Sequence, residues 1–213
     1  DWNVVVGWNM VSVPQDPINK GTALNPDFDS FDALEYCAWQ LPGFTQLSLA
    51  QSLGGNPTSY NMFDYGMTED LSFDMNGVEG YWVYSDVAGV CHFNSTNYSN
   101  WGVDNVLNAA AGWNLVGFTH NYTVAGWGAL PTASDFADGT VDATLLANDK
   151  VVATEWLEAA APQWYNSYVD SAAFPGMATH DWVWDNGYSA NNPGNGLFLW
   201  LEAATVITFD TEF

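Results

Sequence analysis

Short apolar runs rich in Val, Trp, Tyr and Phe alternate along this chain with clusters of Gly, Pro, Asn and Asp. Such a pattern is typical of an all-β protein, because aromatic and β-branched residues favour strands and the clusters favour turns. In the first half it predicts strands near residues 2–6, 9–14, 34–40, 44–49, 59–64, 79–85 and 88–93. In the second half it predicts strands near residues 113–119, 151–157, 163–169, 180–184, 196–201 and 204–209.

The spacing of the runs also predicts how each half ends. Trp82–Tyr84 and Val90–Phe93 are expected to form a hairpin that turns at residues 86–89. A second hairpin is expected near the carboxyl end, turning at Glu202 and Ala203. Short helices are expected within residues 27–34 and within residues 132–149.

Two sequence motifs recur in the same order. Gly7–Val11 reads GWNMV and Gly112–Val116 reads GWNLV, with the two Trp residues 105 positions apart. Gly80–Tyr84 reads GYWVY and Gly196–Trp200 reads GLFLW. This recurrence predicts two tandem copies of one β-domain.

The two predicted domains are β-sandwiches spanning residues 1–100 and 101–213, the second with a longer insertion in its middle. Between the motifs, Leu34–Trp39 aligns loosely with Val151–Trp156. A single larger barrel is the alternative architecture, in which residues 2–6 cross from one copy to the other.

Within the motif, each residue type has an expected role. A Trp after a Gly at a strand start is expected to close one end of the core, so Trp8 and Trp113 are interpreted as core residues. The Asn that follows is expected to hydrogen-bond the backbone of a neighbouring turn.

The charge of the chain restricts its partners. Asp and Glu number 25 against two Lys and no Arg, which gives a net charge of −23. Nucleic acid and anionic membrane surfaces are therefore not expected as partners, because nothing would neutralise their phosphates. No apolar stretch is long enough for a membrane span. Assembly of such chains must rely on apolar and backbone contacts, on bound cations, or on high salt.

Several features favour an extracellular location. Asn94, Asn97 and Asn121 begin glycosylation sequons, which need exposed loops. Cys37 and Cys91 are expected to form a disulfide, with buried free thiols as the alternative. The chain starts at Asp1 and runs directly into a predicted strand, as expected of a processed, secreted product.

Carbohydrate binding is one candidate function, since flat aromatic rings stack on sugars. Trp164, Trp182 and Trp184 are its candidates, and the last two share one strand face. A core or a subunit interface is the simpler interpretation of that face.

Calcium binding is a second candidate, because acidic side chains supply the oxygen ligands that this cation prefers. Asp27, Asp29, Asp32 and Glu35 form the densest acidic group, although their spacing does not fit an EF-hand loop. A solvated acidic surface is the simpler interpretation. No catalytic motif or metal-binding histidine pair is found, so no enzyme is predicted and no cofactor other than calcium is considered.

The segments Gly7–Pro14 with Gly80–Phe93, and Gly112–Thr119 with Gly196–Phe209, resemble a repeat of archaeal and some bacterial cell-surface proteins. The resemblance implies an all-β fold, a place in a secreted or S-layer-like protein, and no catalytic residues. The second copy departs from the repeat at Thr119, where proline is usual, and at Leu197 and Phe198, where Tyr-Trp is usual.

Together these features predict a glycosylated structural subunit that polymerises into an extracellular filament or surface layer. The expected joint is an apolar first strand that pairs with the next subunit, and its candidate residues are Trp2, Val4, Val5 and Val6. A head-to-tail contact of that kind does not close, so it would propagate. The alternative is a cell-surface module that binds carbohydrate or calcium.

Overall fold

The structure, a computed structural model, describes residues 1–13, 18–19, 23–24, 28–52, 60–76, 79–93, 106–117, 151–158, 163–168, 180–181, 196–201 and 203–208. In this part of the chain the protein is mostly β, with antiparallel sheets and one α-helix. The helix expected within residues 132–149 lies outside the described residues.

Most predicted strands are present, with boundaries shifted by a few residues. The first half contains β1 Trp2–Val4, β2 Gly7–Ser12, β3 Ile18–Asn19, β4 Ala23–Leu24, α1 Ser30–Gln40, β5 Leu47–Ser52, β6 Tyr60–Asp64, a 3-10 turn Glu69–Leu71, β7 Gly80–Ser85 and β8 Gly89–Cys91. The second half contains β9 Val106–Ala109, β10 Gly112–Val116, β11 Val151–Glu158, β12 Gln163–Tyr168, β13 His180–Asp181, β14 Leu197–Leu201 and β15 Thr205–Thr208.

Both halves order their strands in the same way. The first half forms a sheet in the order β2-β7-β5-β6, and the second half forms one in the order β10-β14-β11-β12-β13. Each half adds a two-stranded ribbon, β1 with β8 and β9 with β15. The registers agree as well, because Trp8 pairs with Tyr84 and Trp113 pairs with Trp200.

The prediction of a strand over residues 34–40 is wrong, because this segment belongs to helix α1. The Asp29 side chain accepts a hydrogen bond from the Asp32 backbone N–H at 2.9 Å, which caps the first turn. Residues 30, 33, 34 and 37 are buried, which is the spacing of one helix face. The loose alignment with Val151–Trp156 is therefore also wrong, since β11 occupies the place in its sheet that β5 holds in the first.

Both predicted hairpins are wrong too. β7 pairs with β2 and β5, whereas β8 pairs with β1. The ladder of β2 and β7 ends at Gly7 opposite Ser85, and it continues as the ribbon with Val4 opposite Gly89. The chain between these strands is thus a corner, where two paired strands bend together from the sheet into the ribbon. β9, β10, β14 and β15 repeat the arrangement in the second half.

The motif Gly-Trp-Asn forms this corner. Gly7 has a φ of 108°, which a residue with a side chain rarely adopts. The Asn9 amide donates to the Val5 carbonyl at 2.9 Å and to the Gly7 carbonyl at 3.0 Å, and its Oδ1 accepts from the Val5 N–H at 2.9 Å. The prediction that this Asn binds a neighbouring turn is confirmed.

The described core of the first half lies between the sheet and a second layer made of α1 and the ribbon. Its buried apolar residues are Trp2, Val4, Val11, Val13, Phe28, Ala33, Leu34, Cys37, Leu41, Leu47, Leu49, Phe63, Met75, Tyr81, Val83 and Cys91. Trp2 is 2% exposed and its indole N–H donates to the Ser12 carbonyl at 2.8 Å. Because β1 pairs with β8 of its own half, the barrel alternative with a crossing first strand is not formed.

Candidate functional site

The face of the first sheet that points away from this core carries aromatic side chains. Side chains of consecutive strand residues point to opposite faces of a sheet. Because Asn9 is buried on the core side, its neighbour Trp8 points to the outer face. Trp8 is 42% exposed, and its ring packs edge-on against Tyr84 with centroids 5.3 Å apart. The prediction that Trp8 closes the core is wrong, because the neighbouring Asn takes the inward position at the corner.

An open apolar groove of about 360 Å³ runs across this outer face. Its lining residues are Trp8, Ala50, Tyr60, Met62 and Trp82. The small side chain of Ala50, between Trp82 and Met62 in the ladder, leaves the floor of the groove low. Trp8 and Tyr60 stand at its two ends, on strands that lie three spacings or about 14 Å apart across the sheet. Tyr60 is also offset along β6 by four residues from Asp64, the position level with Trp8.

A buried hydroxyl group, that of Ser48, lies on the same outer face. Ser48 is two residues before Ala50, between Tyr84 and Asp64 in the ladder. It is 1% exposed, and its Oγ has no hydrogen-bond partner among the described residues. A buried hydroxyl without a partner costs free energy.

The two halves meet in a reciprocal contact. A Cβ added at Gly80 would lie 2.7 Å from the carbonyl oxygen of Val116, and one added at Gly196 would lie 2.8 Å from that of Val11. Both glycines begin the second motif, and both carbonyls belong to the final Val of the first motif. This is the geometry of an approximate two-fold axis between the halves.

Aromatic rings lie beside the same axis. The centroids of Trp82 and Phe198, which hold equivalent motif positions, are 6.0 Å apart. Phe198 also packs edge-on against Trp113 at 6.1 Å. The glycine that begins the second motif, Gly80 in one half and Gly196 in the other, thus has a role that the sequence did not reveal. It lets one half approach the backbone of the other.

A polar cluster lies at the end of β7 beside this contact. The Tyr81 hydroxyl accepts from the Asn76 N–H at 2.7 Å and lies 3.3 Å from the Glu79 carboxylate. Gln51 donates to the same carboxylate at 2.9 Å. Burial, and after it the negative charge of Glu79, raises the pKa of Tyr81 well above its ordinary value.

The edge strand β6 and the turn that follows it carry exposed apolar side chains beside the groove. Tyr60 is 38% exposed and Met62 is 51% exposed. Tyr65, Met67 and Leu71, in the turn that follows, are exposed as well. Large apolar side chains are therefore concentrated along one margin of the first sheet, next to the groove.

Residues predicted from the sequence fall in several places. Cys37 in α1 and Cys91 in β8 form a disulfide, which ties the helix to the ribbon. Trp2 and Val4 are buried in the core of their own chain, whereas Val6 is 65% exposed at the corner. Asn94, Asn97, Asn121, Trp182 and Trp184 lie outside the described residues, and Trp164 is described only in its backbone, as part of β12.

In the acidic group considered for calcium, the Asp29 carboxylate accepts hydrogen bonds from the protein itself. The two carboxylate oxygens of Asp29 accept from the Asp32 N–H and from the Ser72 hydroxyl. Asp27 lies outside the described residues. Within the described ranges, no group of three His, Cys, Asp or Glu side chains is placed to hold a metal ion.

Comparison with known proteins gives no match, whether to family models, to curated proteins or to solved structures. The resemblance to a cell-surface repeat therefore stays a prediction. No helix in the described part of the chain combines the length and the apolarity that crossing a bilayer requires.

Proposed function

We propose that this chain is a structural subunit of an extracellular filament or surface layer, made of two tandem copies of one β-sandwich-like unit. The observation that supports it best is the repeated strand order with its reciprocal contact. Val11 in edge strand β2 lies against Gly196, and Val116 in edge strand β10 lies against Gly80. The inner edges of both sheets thus face the other half, and no described strand pairs with the outer edges, where neighbouring subunits would bind.

The disulfide supports the extracellular part of the proposal. Disulfides persist in oxidising compartments, and a bond between Cys37 and Cys91 ties the chain across 54 positions. Asn94, Asn97 and Asn121 are the proposed glycosylation sites. Intact mass measured before and after removal of N-linked glycans from native material tests this part, and an unchanged mass contradicts it.

The experiment for assembly compares the purified protein at low and at high salt. A net charge of −23 makes the chains repel, and 1 M salt shortens the screening length to about 3 Å. Light scattering is expected to show monomers at low salt and growing particles at high salt, with filaments or sheets in negative-stain images. A monomer that persists in 3 M salt at high protein concentration contradicts the proposal.

Exchange of β1 between subunits is one proposed joint. In the structure β1 pairs with its own β8, so an exchanged strand would make the same contacts with a neighbour. Asn3 and Val90 are ladder partners, and changing both to Cys locks β1 to its own half. If strand exchange is the joint, oxidised Asn3→Cys/Val90→Cys protein stays monomeric at a salt concentration where oxidised wild type, which keeps the same native disulfide, assembles. Assembly of the oxidised monomer contradicts the exchange.

A second candidate function is carbohydrate binding, which the open aromatic groove favours. Trp8 and Trp82 supply aromatic surface there, and the charge of the chain favours uncharged sugars over anionic ones. Trp8→Ala is expected to lose binding to neutral glycans on an array. Trp39→Ala is the matched control, because Trp39 is 72% exposed on α1, away from the groove. Equal binding by both variants excludes this site.

A further inference from the structure

We propose that the outer edge of β6 is the place where a strand from a second copy of this chain adds to the first sheet. The inference rests on the proposed function and names the surface through which the copies meet. It differs from exchange of β1, because no element of the monomer has to leave its own half.

The hydrogen-bond pattern shows which backbone groups β6 offers. The Tyr65 N–H donates to the Leu47 carbonyl at 2.9 Å, at the end of the ladder between β5 and β6. In an antiparallel ladder the bonded residues alternate, so Asn61 and Phe63 also bond inward to β5. The N–H and C=O groups of Met62 therefore point away from the sheet. Among the described residues, no strand pairs with this side of β6.

The second half shows that the corresponding edge accepts a strand. β12 lies beside β11 as β6 lies beside β5, and the neighbouring strands hold equivalent registers. On the outer side of β12, Ser167 and Tyr168 pair with Asp181 and His180 of β13. The same architecture thus carries an additional strand in the second half, whereas in the first half no described strand pairs with the corresponding edge.

The side chains of β6 fit addition of a strand. Natural edge strands are protected by charged residues, Pro or bulges. The stretch Tyr60–Phe63 has no charged residue and no Pro, and its register with β5 is unbroken. Tyr60 and Met62 are exposed, and Tyr65, Met67 and Leu71 extend the apolar surface beyond the strand.

The charge of the chain restricts where a second copy can pair with it. Two chains of net charge −23 repel over most of their surfaces. Backbone and apolar contacts at the stretch Tyr60–Phe63 would form without a carboxylate from the stretch itself, and Asp64 is the acidic residue of the strand. Because screening weakens the remaining repulsion, pairing is expected to strengthen with salt.

Hydrogen exchange of individual amides tests the inference directly. In the monomer the Asn61 and Phe63 amides are expected to be protected and the Met62 amide to exchange freely. In assemblies formed at high salt, the Met62 amide is expected to slow by at least tenfold. If wild-type protein assembles while Met62 still exchanges freely, the edge is not the joint, although the proposed function stands. If no assembly forms under any salt condition, the result contradicts the proposed function itself, and the inference that rests on it falls as well.

Two substitutions separate backbone pairing from side-chain contact. Met62→Pro removes an outward N–H without removing a bond to β5, and it is expected to reduce assembly at least tenfold. Met62→Ala removes the side chain but keeps that N–H, and it is expected to reduce assembly less. Equal assembly by Met62→Pro and Met62→Ala contradicts the inference.

A third variant keeps the proposal testable if Met62→Pro does not fold. Met62→Asp retains every backbone donor and places an additional like charge at the joint. It is expected to raise the salt concentration needed for assembly, whereas an unchanged salt requirement contradicts the inference. The native disulfide and the thermal unfolding midpoint of each variant show whether its monomer is intact.

Discussion

Asn9 and Asn114 make the same four side-chain hydrogen bonds in the two halves. Asn9 bonds the N–H and C=O of Val5 and the carbonyls of Gly7 and Val83. Asn114 bonds the corresponding groups of Ala110, Gly112 and Leu199 at distances of 2.9 to 3.5 Å. Each amide therefore holds one corner between sheet and ribbon.

Asn9→Ala is expected to lower the free energy of unfolding by about 2–3 kcal/mol, because it leaves backbone groups at a buried corner without partners. Asn114→Ala is expected to have a comparable effect. Urea denaturation measures both. Asn61→Ala is the control, since Asn61 is exposed and its side chain donates to Gln51 at 3.2 Å. A loss as small as that of the control would show that the amides do not hold the corners.

Gly80→Ala and Gly196→Ala are each expected to destabilise the protein by about 1–3 kcal/mol, because the added methyl group meets a carbonyl oxygen of the other half. Gly66→Ala isolates backbone strain, since Gly66 has a φ of 104° and open space around its Cβ position. Its expected cost is about 1 kcal/mol. Thermal unfolding followed by tryptophan fluorescence checks the series. If neither Gly80→Ala nor Gly196→Ala lowers the thermal unfolding midpoint, the result contradicts the close contact between the halves.

Ser48→Ala is expected to leave stability unchanged or raise it by about 1 kcal/mol, because it removes a buried hydroxyl without a partner. Ser85→Ala is the matched comparison. The Ser85 hydroxyl donates to the Val87 carbonyl at 2.7 Å and accepts from its N–H at 3.2 Å, so its loss is expected to cost about 1–2 kcal/mol. A lower denaturant midpoint for Ser48→Ala than for Ser85→Ala would contradict the assignment of the Ser48 hydroxyl as unpaired.

Alkaline pH is expected to destabilise the protein through Tyr81. Its folded-state pKa is raised, so folding favours the protonated phenol. That stabilisation is fully present below the unfolded value of about 10 and is lost as pH rises through the folded pKa. Tyr81→Phe is expected to be less stable than wild type at pH 7, with the gap narrowing above pH 10. A gap that stays constant with pH would show that Tyr81 does not titrate abnormally.

The disulfide between α1 and β8 is expected to stabilise the folded chain by about 2–4 kcal/mol. Cys37→Ala with Cys91→Ala is expected to lose this amount, measured by chemical denaturation. Reductant should destabilise the wild type and leave the double variant unchanged. An effect of reductant on both proteins would point to a cause other than this bond.

The sequence alone was sufficient for the positions of most strands. Strand positions follow from runs of apolar residues between turn residues, and the role of Asn9 follows from its capacity to bond nearby backbone. The helix α1 also left a signal, since residues 30, 33, 34 and 37 have helical spacing behind Asp29. The aromatic residues of the segment favoured a strand, and burial on one helix face outweighed that local preference.

The tertiary structure decided which strands pair, where the chain bends, and what faces outward. Alternation separates two faces of a strand without telling which face is covered, so Trp8 was assigned to the wrong side. Adjacent strands β7 and β8 look like a hairpin in sequence, but the long-range ladder with β1 and β2 gives each a different partner. The fit of Gly80 and Gly196 against the opposite half depends on atoms far apart in the chain, and no local pattern encodes such a distance.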